Sequence, residues 1–300
     1  MTRVTGTATT LALLHEAGGI LSAAGHEDPR QNAEWLLAGV LGVHRFRIYL
    51  DSAHEPSAAE ARRFLDLVER RAGGEPLQHL LGYEDFHGLR LAVGPDVLIP
   101  RPETEGLVDW ALETMDGVAT AVIADVGTGS GAIACALATM LANATVLGVD
   151  CSAAALAVAA KNAQAHGVGD RVRMVHGDLV DPLVALGITV DLVVANLPYL
   201  PTATMSTLPA EVAQWEPRQA LDGGPGGLAV IRRLVAGAPA VMAPGAALLM
   251  EIGEDQAGPI ASLMAAEGFV RIESRRDLNR VERYIGGRWG GAAAGAPARV

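Results

Sequence analysis

Four consecutive residues combine groups that can bind a planar amide or amine. The turn offers a side-chain amide, two backbone carbonyls and an aromatic face, from Asn196, Leu197, Pro198 and Tyr199. It follows the apolar run 190–195, which predicts a buried strand with the turn at its carboxyl end. Two acceptors there can take both N–H bonds of an NH2 group while the ring packs on its face. Asn and Pro are also ordinary turn residues, so the motif needs support from elsewhere in the chain.

A glycine-rich turn upstream predicts a nucleotide-type cofactor site. The apolar run 121–124 leads into it, and a helix is predicted to follow from Ala132. The turn contains Asp125, Gly127, Thr128, Gly129, Ser130 and Gly131. Glycines let a ligand approach the backbone N–H groups at a helix N-terminus closely. Asp150 ends the next apolar run, where its carboxylate can accept hydrogen bonds from ribose hydroxyls.

Two acidic residues favour S-adenosylmethionine over NAD(H) as the cofactor. The glycine spacing alone also fits a dinucleotide site. Asp125, however, can bond the ammonium of an amino-acid moiety, which S-adenosylmethionine has and NAD lacks. Asp178 follows the predicted strand 172–175 and can bond the adenine amino group, while Leu179 can cover the adenine face. The predicted cofactor is therefore S-adenosylmethionine, with S-adenosylhomocysteine as the product.

Further motifs occur through most of residues 75–286. They are Gly82-Tyr83-x-x-Phe86, the stretch Leu98 to Glu105, Glu211-Val212, Trp215 to Arg218, Asn279-Arg280-Val281 and Ile285 to Arg288. With the glycine turn and the Asn196 turn, they resemble the HemK/PrmC glutamine methyltransferases, which modify peptide-chain release factors. The resemblance implies a class I S-adenosylmethionine-dependent methyltransferase fold, α/β and Rossmann-like with a mostly parallel seven-stranded sheet. It also implies methylation of the Gln side-chain amide in the Gly-Gly-Gln motif, a step that tunes translation termination.

One position departs from that family, which usually has Pro where this chain has Leu197. The backbone carbonyl expected to contribute there is present in Leu as well. Asn-Leu-Pro-Tyr is also similar to the motif of ribosomal RNA adenine dimethyltransferases, so an adenine amino group of RNA or DNA is the second candidate substrate. A cofactor-binding protein that docks on a partner without catalysis is a third hypothesis.

The charge of the chain favours a protein partner over a nucleic acid. Its formal net charge is -11, its pI is near 5.2, and Lys161 is its single lysine. Nucleic-acid-binding domains typically carry a basic stripe. One predicted helix holds four arginines beside several acids, which indicates a solvated face with internal ion pairs; they are Arg62, Arg63, Arg70 and Arg71. We expect release factors as partners and no direct binding of nucleic acid.

The chain divides into four predicted regions. Residues 1–80 predict a helical bundle, in which Asp28-Pro29-x-Gln31 and Ser57-x-x-Glu60 mark two helix starts by capping boxes. Residues 81–100 predict a β-hairpin and linker, and residues 101–288 the methyltransferase domain, where strands and helices alternate. Residues 289–300, rich in Gly and Ala, predict a disordered tail. The family resemblance implies that the bundle helps to hold the release factor.

Composition indicates a cytoplasmic enzyme, which we expect to be a monomer. Its two cysteines, Cys135 and Cys151, suggest buried free thiols, and its eight histidines lack ligand spacing, so no metal site is expected. No apolar run approaches the length of a membrane span, and Met1 to Thr10 lacks the pattern of a signal peptide.

The predicted mechanism depends on positioning, because an amide nitrogen is a poor nucleophile. The Asn196 side-chain oxygen and the carbonyl of Leu197 or Pro198 accept the two amide hydrogens and stabilise positive charge developing on nitrogen. Tyr199 packs on the flat substrate, and Pro198 fixes the turn. The proton leaves to water.

The start of the predicted helix 103–113 supplies further candidates for the pocket. They are Arg101, Pro102 and Glu103. An acid at a helix start also interacts favourably with the helix dipole, which is the simpler explanation for Glu103 and Glu105.

Overall fold

The computed structural model describes residues 8–291, which form two units. Unit 1 comprises residues 8–83 and 209–215, and unit 2 comprises residues 84–208 and 216–291. Most of the predicted tail, residues 292–300, lies outside the described residues, but Trp289 belongs to the last strand. The domain boundaries drawn from the sequence otherwise stay a prediction.

The α-helices, in chain order, are α1 (Thr10–Ala23), α2 (Pro29–Leu41), α3 (Arg47–Leu50), α4 (Ala58–Ala72), α5 (Leu77–Leu81), α6 (Pro102–Met115), α7 (Ala132–Met140), α8 (Ala153–Ala165), α9 (Asp181–Ala185), α10 (Ala210–Trp215), α11 (Ala229–Gly237) and α12 (Ala257–Ala266). The strands are β1 (Tyr83–Phe86), β2 (Leu89–Ala92), β3 (Val122–Val126), β4 (Thr145–Asp150), β5 (Val172–His176), β6 (Val190–Asn196), β7 (Met242–Glu251), β8 (Phe269–Arg276) and β9 (Glu282–Trp289). Short 3-10 segments occur at Thr202–Thr207, Arg218–Ala220, Pro225–Gly227 and Ala238–Ala240.

Unit 1 contains the predicted helical bundle. Leu13 of α1, Leu36 of α2 and Phe64 of α4 are fully buried in one apolar core. The capping box at α4 is confirmed, since the Ser57 hydroxyl accepts from the Glu60 backbone N–H at 3.3 Å and the Glu60 carboxylate accepts from the Ser57 N–H at 2.8 Å. The capping box thus marks the start of α4, and the apolar core holds this helix against α1 and α2.

The capping box predicted at Asp28 is wrong. Pro29 does occupy the first turn of α2, but the Asp28 side chain makes no cap hydrogen bond. An N-cap residue normally has an extended backbone, whereas Asp28 is left-handed, with φ 49°. The left-handed backbone at Asp28 thus replaces the extended conformation that a capping side chain requires.

Three of the four arginines of α4 are exposed as predicted, but Arg71 differs from the prediction of a solvated face. Arg71 is buried, and its guanidinium donates to the Asn32 side-chain oxygen at 2.8 Å, the Glu75 carbonyl at 3.0 Å and the Glu211 carboxylate at 3.0 Å. Arg70 pairs with Glu75 just beyond the helix. Arg71 thus joins α2, α4 and α10 inside unit 1.

Unit 2 contains a seven-stranded sheet of order β5-β4-β3-β6-β7-β9-β8. The strands pair in parallel except for β7 with β9 and β8 with β9. Side chains alternate between two faces: Ile123 packs in a core with α6 and α7, and Ala124 in a core with α11 and α12. The predicted fold class is confirmed. The strand order reverses between β3 and β6, where sheets of this kind bind ligands.

The predicted hairpin between the regions is also observed. β1 and β2 form a separate two-stranded sheet, joined at His87 and Gly88. No helix among the described residues combines the length and apolarity that crossing a bilayer requires.

The two candidate caps of unit 1 should respond differently to substitution. Ser57→Ala removes an observed cap bond, so we expect it to lower the free energy of unfolding by about 1 kcal/mol. Asp28→Asn tolerates the left-handed backbone and removes no cap bond, so it should leave stability unchanged. Urea unfolding followed by circular dichroism measures both. Equal losses in the two variants would contradict the assignment.

Candidate active site

The glycine turn and the Asn196 turn meet because β3 and β6 are neighbours in parallel register. Val126 pairs with Ala195, so both strands end at the same level. A Cβ on Gly127 would lie 2.9 Å from Leu197 Cδ2 and 3.7 Å from the Asn196 carbonyl oxygen. Both turns line one cavity. The predicted site residues on its wall are Gly127, Gly129, Asp150, Asp178, Leu179, Asn196, Leu197 and Pro198.

Asp150 holds the glycine turn in place. Its Oδ2 accepts from the Gly129 N–H at 2.9 Å, and its Oδ1 accepts from the Ser152 N–H at 2.8 Å. Each carboxylate oxygen has a second lone pair. Asp150 can therefore support the turn and still accept hydrogen bonds from a ligand in the cavity.

Asp178 and Leu179 lie together on another part of the cavity wall. Leu179 has a left-handed backbone, with φ 48°. Arg233 of α11 forms an ion pair with one oxygen of Asp178, and both side chains are about half exposed. Arg233 also lines the cavity and was missed in the sequence, because only the fold brings α11 beside Asp178.

Four residues of the glycine turn that were predicted to touch the cofactor are not among those that line this cavity, and their contact with the cofactor stays a prediction. Thr128 and Ser130 are buried, and Gly131 packs so closely on α8 that a Cβ would meet the Ala159 Cβ at 3.0 Å. Asp125 is fully buried, since strand alternation directs it toward α7. Its Oδ2 accepts from the Thr128 hydroxyl at 2.6 Å and from the Ala134 N–H at 3.1 Å.

The orientation of the Asn196 side chain is fixed by a chain of hydrogen bonds. Its Nδ2 donates to Thr104 Oγ1 at 3.0 Å, and the Thr104 hydroxyl donates to Glu251 Oε2 at 2.6 Å. With the amide nitrogen held by Thr104, the side-chain oxygen is left as the acceptor for a ligand.

Tyr199 anchors the turn instead of lining the cavity. Its hydroxyl donates to Glu251 Oε1 at 3.3 Å, and its carbonyl accepts from Gln256 Nε2 at 2.9 Å. Burial, reinforced by the Glu251 charge, raises the pKa of Tyr199 to about 12, so the phenol stays neutral. The expected packing of its ring on a substrate stays a prediction, and the structure places the ring against the apolar core.

The residues at the start of α6 lie outside this cavity. The Arg101 guanidinium binds the buried carboxylate of Glu216, while Pro102 and Glu103 line a separate groove beside Tyr284. Residues in and next to two of the quoted motifs line the cavity instead. They are Asp96, Val97, Leu98, Pro217, Gln219 and Ala220.

Two residues central to the site were not assigned a role from the sequence. Thr104 lies in a quoted motif, but its partner Glu251 is 147 residues away. Glu251 ends β7 and pairs in register with Asn196. The signal in the sequence that points to Glu251 is its place at the carboxyl end of a parallel strand, where sheets of this kind bind ligands.

The cysteines and acidic residues do not suggest other chemistry. Within residues 8–291, no group of three or more His, Cys, Asp or Glu side chains is arranged to hold a metal ion. Both cysteines are free, but only Cys135 is buried. Cys151 is exposed and lines the cavity, so its predicted burial is wrong.

The fold and site define a methyltransferase, and comparison with known proteins agrees. Residues 123–215 match a family model described as a methyltransferase domain, and residues 12–82 match the PrmC N-terminal domain. Among solved structures, the catalytic domain of hMettl16 in complex with a 3'UTR hairpin has a TM-score of 0.57 at 15% identity, over 81% of this chain and 84% of that chain. This likeness shows the fold alone.

Two relatives show the family. The release factor glutamine methyltransferase of Moorella thermoacetica is 45% identical over 260 residues, which are 87% of this chain and 91% of that protein. The protein of the same name from Geobacter sulfurreducens is 41% identical over 272 residues, 91% of this chain and 94% of that protein. The chain belongs to the release factor glutamine methyltransferase family. The resemblance read from the motifs is confirmed.

The buried Asp125 should make stability depend on pH. Burial raises its pKa to about 7, although hydrogen bonds from Thr128 and Ala134 oppose the shift. An unfolded Asp titrates near pH ~4, so between about pH 4 and 7 the folded chain keeps a proton that the unfolded chain has lost. The stabilisation is complete below about pH 4 and is lost as the pH rises through about 7.

Asp125→Asn removes this titration while keeping an acceptor for Thr128 and Ala134. We expect the free energy of unfolding, measured in urea at about pH 5 and about pH 7.5, to fall less between these values in the variant than in the wild type. An equal fall in both proteins would contradict the assigned protonation of Asp125.

Proposed function

We propose that this chain transfers a methyl group from S-adenosylmethionine to the side-chain amide nitrogen of the Gln in the Gly-Gly-Gln motif of peptide-chain release factors. One observation carries the proposal: Asn196 lines the cavity that the glycine turn also lines, and its side-chain nitrogen is engaged by Thr104, which leaves the side-chain oxygen free to accept. The relatives named as release factor glutamine methyltransferases support the choice of substrate.

The cavity residues fit the proposed cofactor. Gly127 leaves space that a Cβ would close against Leu197. Asp150 would accept from the ribose hydroxyls, while Asp178 would accept from the adenine amino group beside Leu179. Asp125 does not line the cavity, so its contact with the ammonium group of the cofactor stays a prediction. The bound cofactor would supply an electrophilic methyl group on its sulfonium.

The protein's own contribution is orientation of the amide. The Asn196 side-chain oxygen and the carbonyl of Leu197 or Pro198 would accept the two N–H groups of the substrate amide. These acceptors stabilise positive charge that develops on nitrogen as the new bond forms. Precise orientation of reacting groups can contribute roughly 7 to 11 kcal/mol. Tyr199 is a neutral phenol and is unsuited to act as a base, so the proton of the methylated nitrogen would leave to water.

A second substrate class is the adenine amino group of RNA or DNA. It presents the same pair of N–H groups to the same two acceptors, so the turn alone does not exclude it. The net charge of -11 and the single lysine favour a protein substrate instead. Monomeric state and a cytoplasmic location stay predictions.

A methyl-transfer assay tests the proposal directly. After incubation with S-adenosylmethionine, mass spectrometry should find one added methyl group on the Gln of the release-factor Gly-Gly-Gln motif. Asn196→Ala removes an acceptor aimed at developing charge, so we expect kcat to fall by about 100-fold. Ribosomal RNA offered in a parallel reaction should stay unlabelled. Label in the RNA and none in the release factor would refute the proposal.

We further propose that unit 1 docks the release factor through exposed apolar residues at α3. The side chains of Phe46 and Leu50 are 66% and 74% exposed, and they lie four residues apart, about one helical turn. Covering large apolar side chains of this kind stabilises a complex by about 1.5 to 3 kcal/mol each. The match of residues 12–82 to the PrmC N-terminal domain supports a role specific to this family.

Replacing both residues should weaken docking and leave the chemistry intact. For Phe46→Ser with Leu50→Ser we expect KM for the release factor to rise at least tenfold, because one tenfold step corresponds to about 1.4 kcal/mol. The kcat and the affinity for S-adenosylmethionine should not change. Val118→Ser, at an exposed apolar side chain of unit 2, is the matched control. An unchanged KM in the double variant would exclude this docking surface.

A further inference from the structure

We propose that Thr104 and Glu251 are positioning residues for methyl transfer, which together determine which atom of the Asn196 amide faces the substrate. The inference rests on the proposed function, because it assigns the orientation of that function's main acceptor. Thr104 lies on α6 and Glu251 at the end of β7, and a hydrogen bond joins their side chains.

Glu251 holds both ends of the Asn196 turn. It is 2% exposed, and its strand position pairs with that of Asn196. One carboxylate oxygen accepts from Thr104 at 2.6 Å, and the other accepts from the Tyr199 hydroxyl at 3.3 Å. A single buried carboxylate therefore holds the side chain of Tyr199 directly and that of Asn196 through Thr104.

The direction of the chain follows from the chemistry of its members. The Thr104 hydroxyl donates to Glu251, which in its ionised form has no hydrogen to give in return. The Thr104 oxygen is then the acceptor for Asn196 Nδ2, which lies 3.0 Å away. The Asn196 amide is thereby held with its oxygen toward the ligand. If the chain were reversed, the amide NH2 would face the N–H groups of the substrate, and no hydrogen bond could form between them.

Within these linked hydrogen bonds, Glu251 is the group whose charged form is disfavoured by its surroundings. Burial raises its pKa, and Glu103 at the start of α6 adds to the shift. The Thr104 and Tyr199 hydroxyls and the Arg283 guanidinium of β9 oppose it. Thr104 therefore stabilises the charged form of Glu251 and also orients the Asn196 amide. A substitution at Thr104 is the more informative test for this reason.

Thr104→Val tests the inference with little change of shape. Valine removes the hydroxyl that orients Asn196, so we expect kcat to fall at least tenfold, since a small misplacement near the reacting atoms can cost about 100-fold. KM for the release factor and the affinity for S-adenosylmethionine should stay within about twofold. Thr104→Ser restores the hydroxyl and should recover most of kcat. A structural role alone would instead lower the affinity for S-adenosylmethionine together with kcat.

Glu251→Gln tests the second member. Gln offers one acceptor and one donor group where two hydroxyls now donate, so one of the two hydrogen bonds must break or reverse. We expect kcat to fall by at least threefold at unchanged cofactor affinity.

A double-variant cycle separates positioning from independent effects. Because Thr104 acts through Asn196, Thr104→Val should lower kcat in the wild type and leave it nearly unchanged in the Asn196→Ala protein. An equal loss in both backgrounds, or wild-type kcat in Thr104→Val, would overturn the inference while leaving the proposed function standing. Failure of the wild type itself to methylate the release factor would instead refute the proposed function.

Discussion

The parallel pairing of β3 with β6 is the constraint on which the site depends. The strand order of the sheet reverses between these two neighbouring strands, and sheets of this kind bind ligands at that point. The register Val126 to Ala195 sets both turns at one level. The glycine turn and the Asn196 turn, separated by more than sixty residues of sequence, thereby become walls of one cavity.

Two carboxylates hold the two turns in place, Asp150 from the cavity wall and Glu251 from a buried position behind it. Asp150 fixes the glycine turn through backbone N–H groups, and Glu251 fixes the Asn196 turn through two hydroxyls. Each is a carboxylate at the end of a parallel strand, on opposite sides of the β3–β6 pair. Preorganised groups of this kind need not rearrange when a substrate binds, which is where electrostatic catalysis is most effective.

The sequence predicted the elements and both turns well, because apolar periodicity and glycine spacing are local signals. It failed where backbone conformation or long-range packing decided the outcome. The left-handed Asp28 makes no cap hydrogen bond. The contact of Thr104 with Glu251 spans 147 residues, and only the strand order of the sheet brings that pair together.

Leu197 has a consequence that reaches beyond the substrate turn. Its Cδ2 would lie 2.9 Å from a Cβ at Gly127, so the side chain that replaces the family's usual Pro packs directly on the glycine turn. The Asn196 turn and the glycine turn therefore pack against each other at Leu197 and Gly127. Attempts to re-engineer selectivity at Leu197 would alter the fit of the methyl donor as well, and the two properties could not be evolved independently.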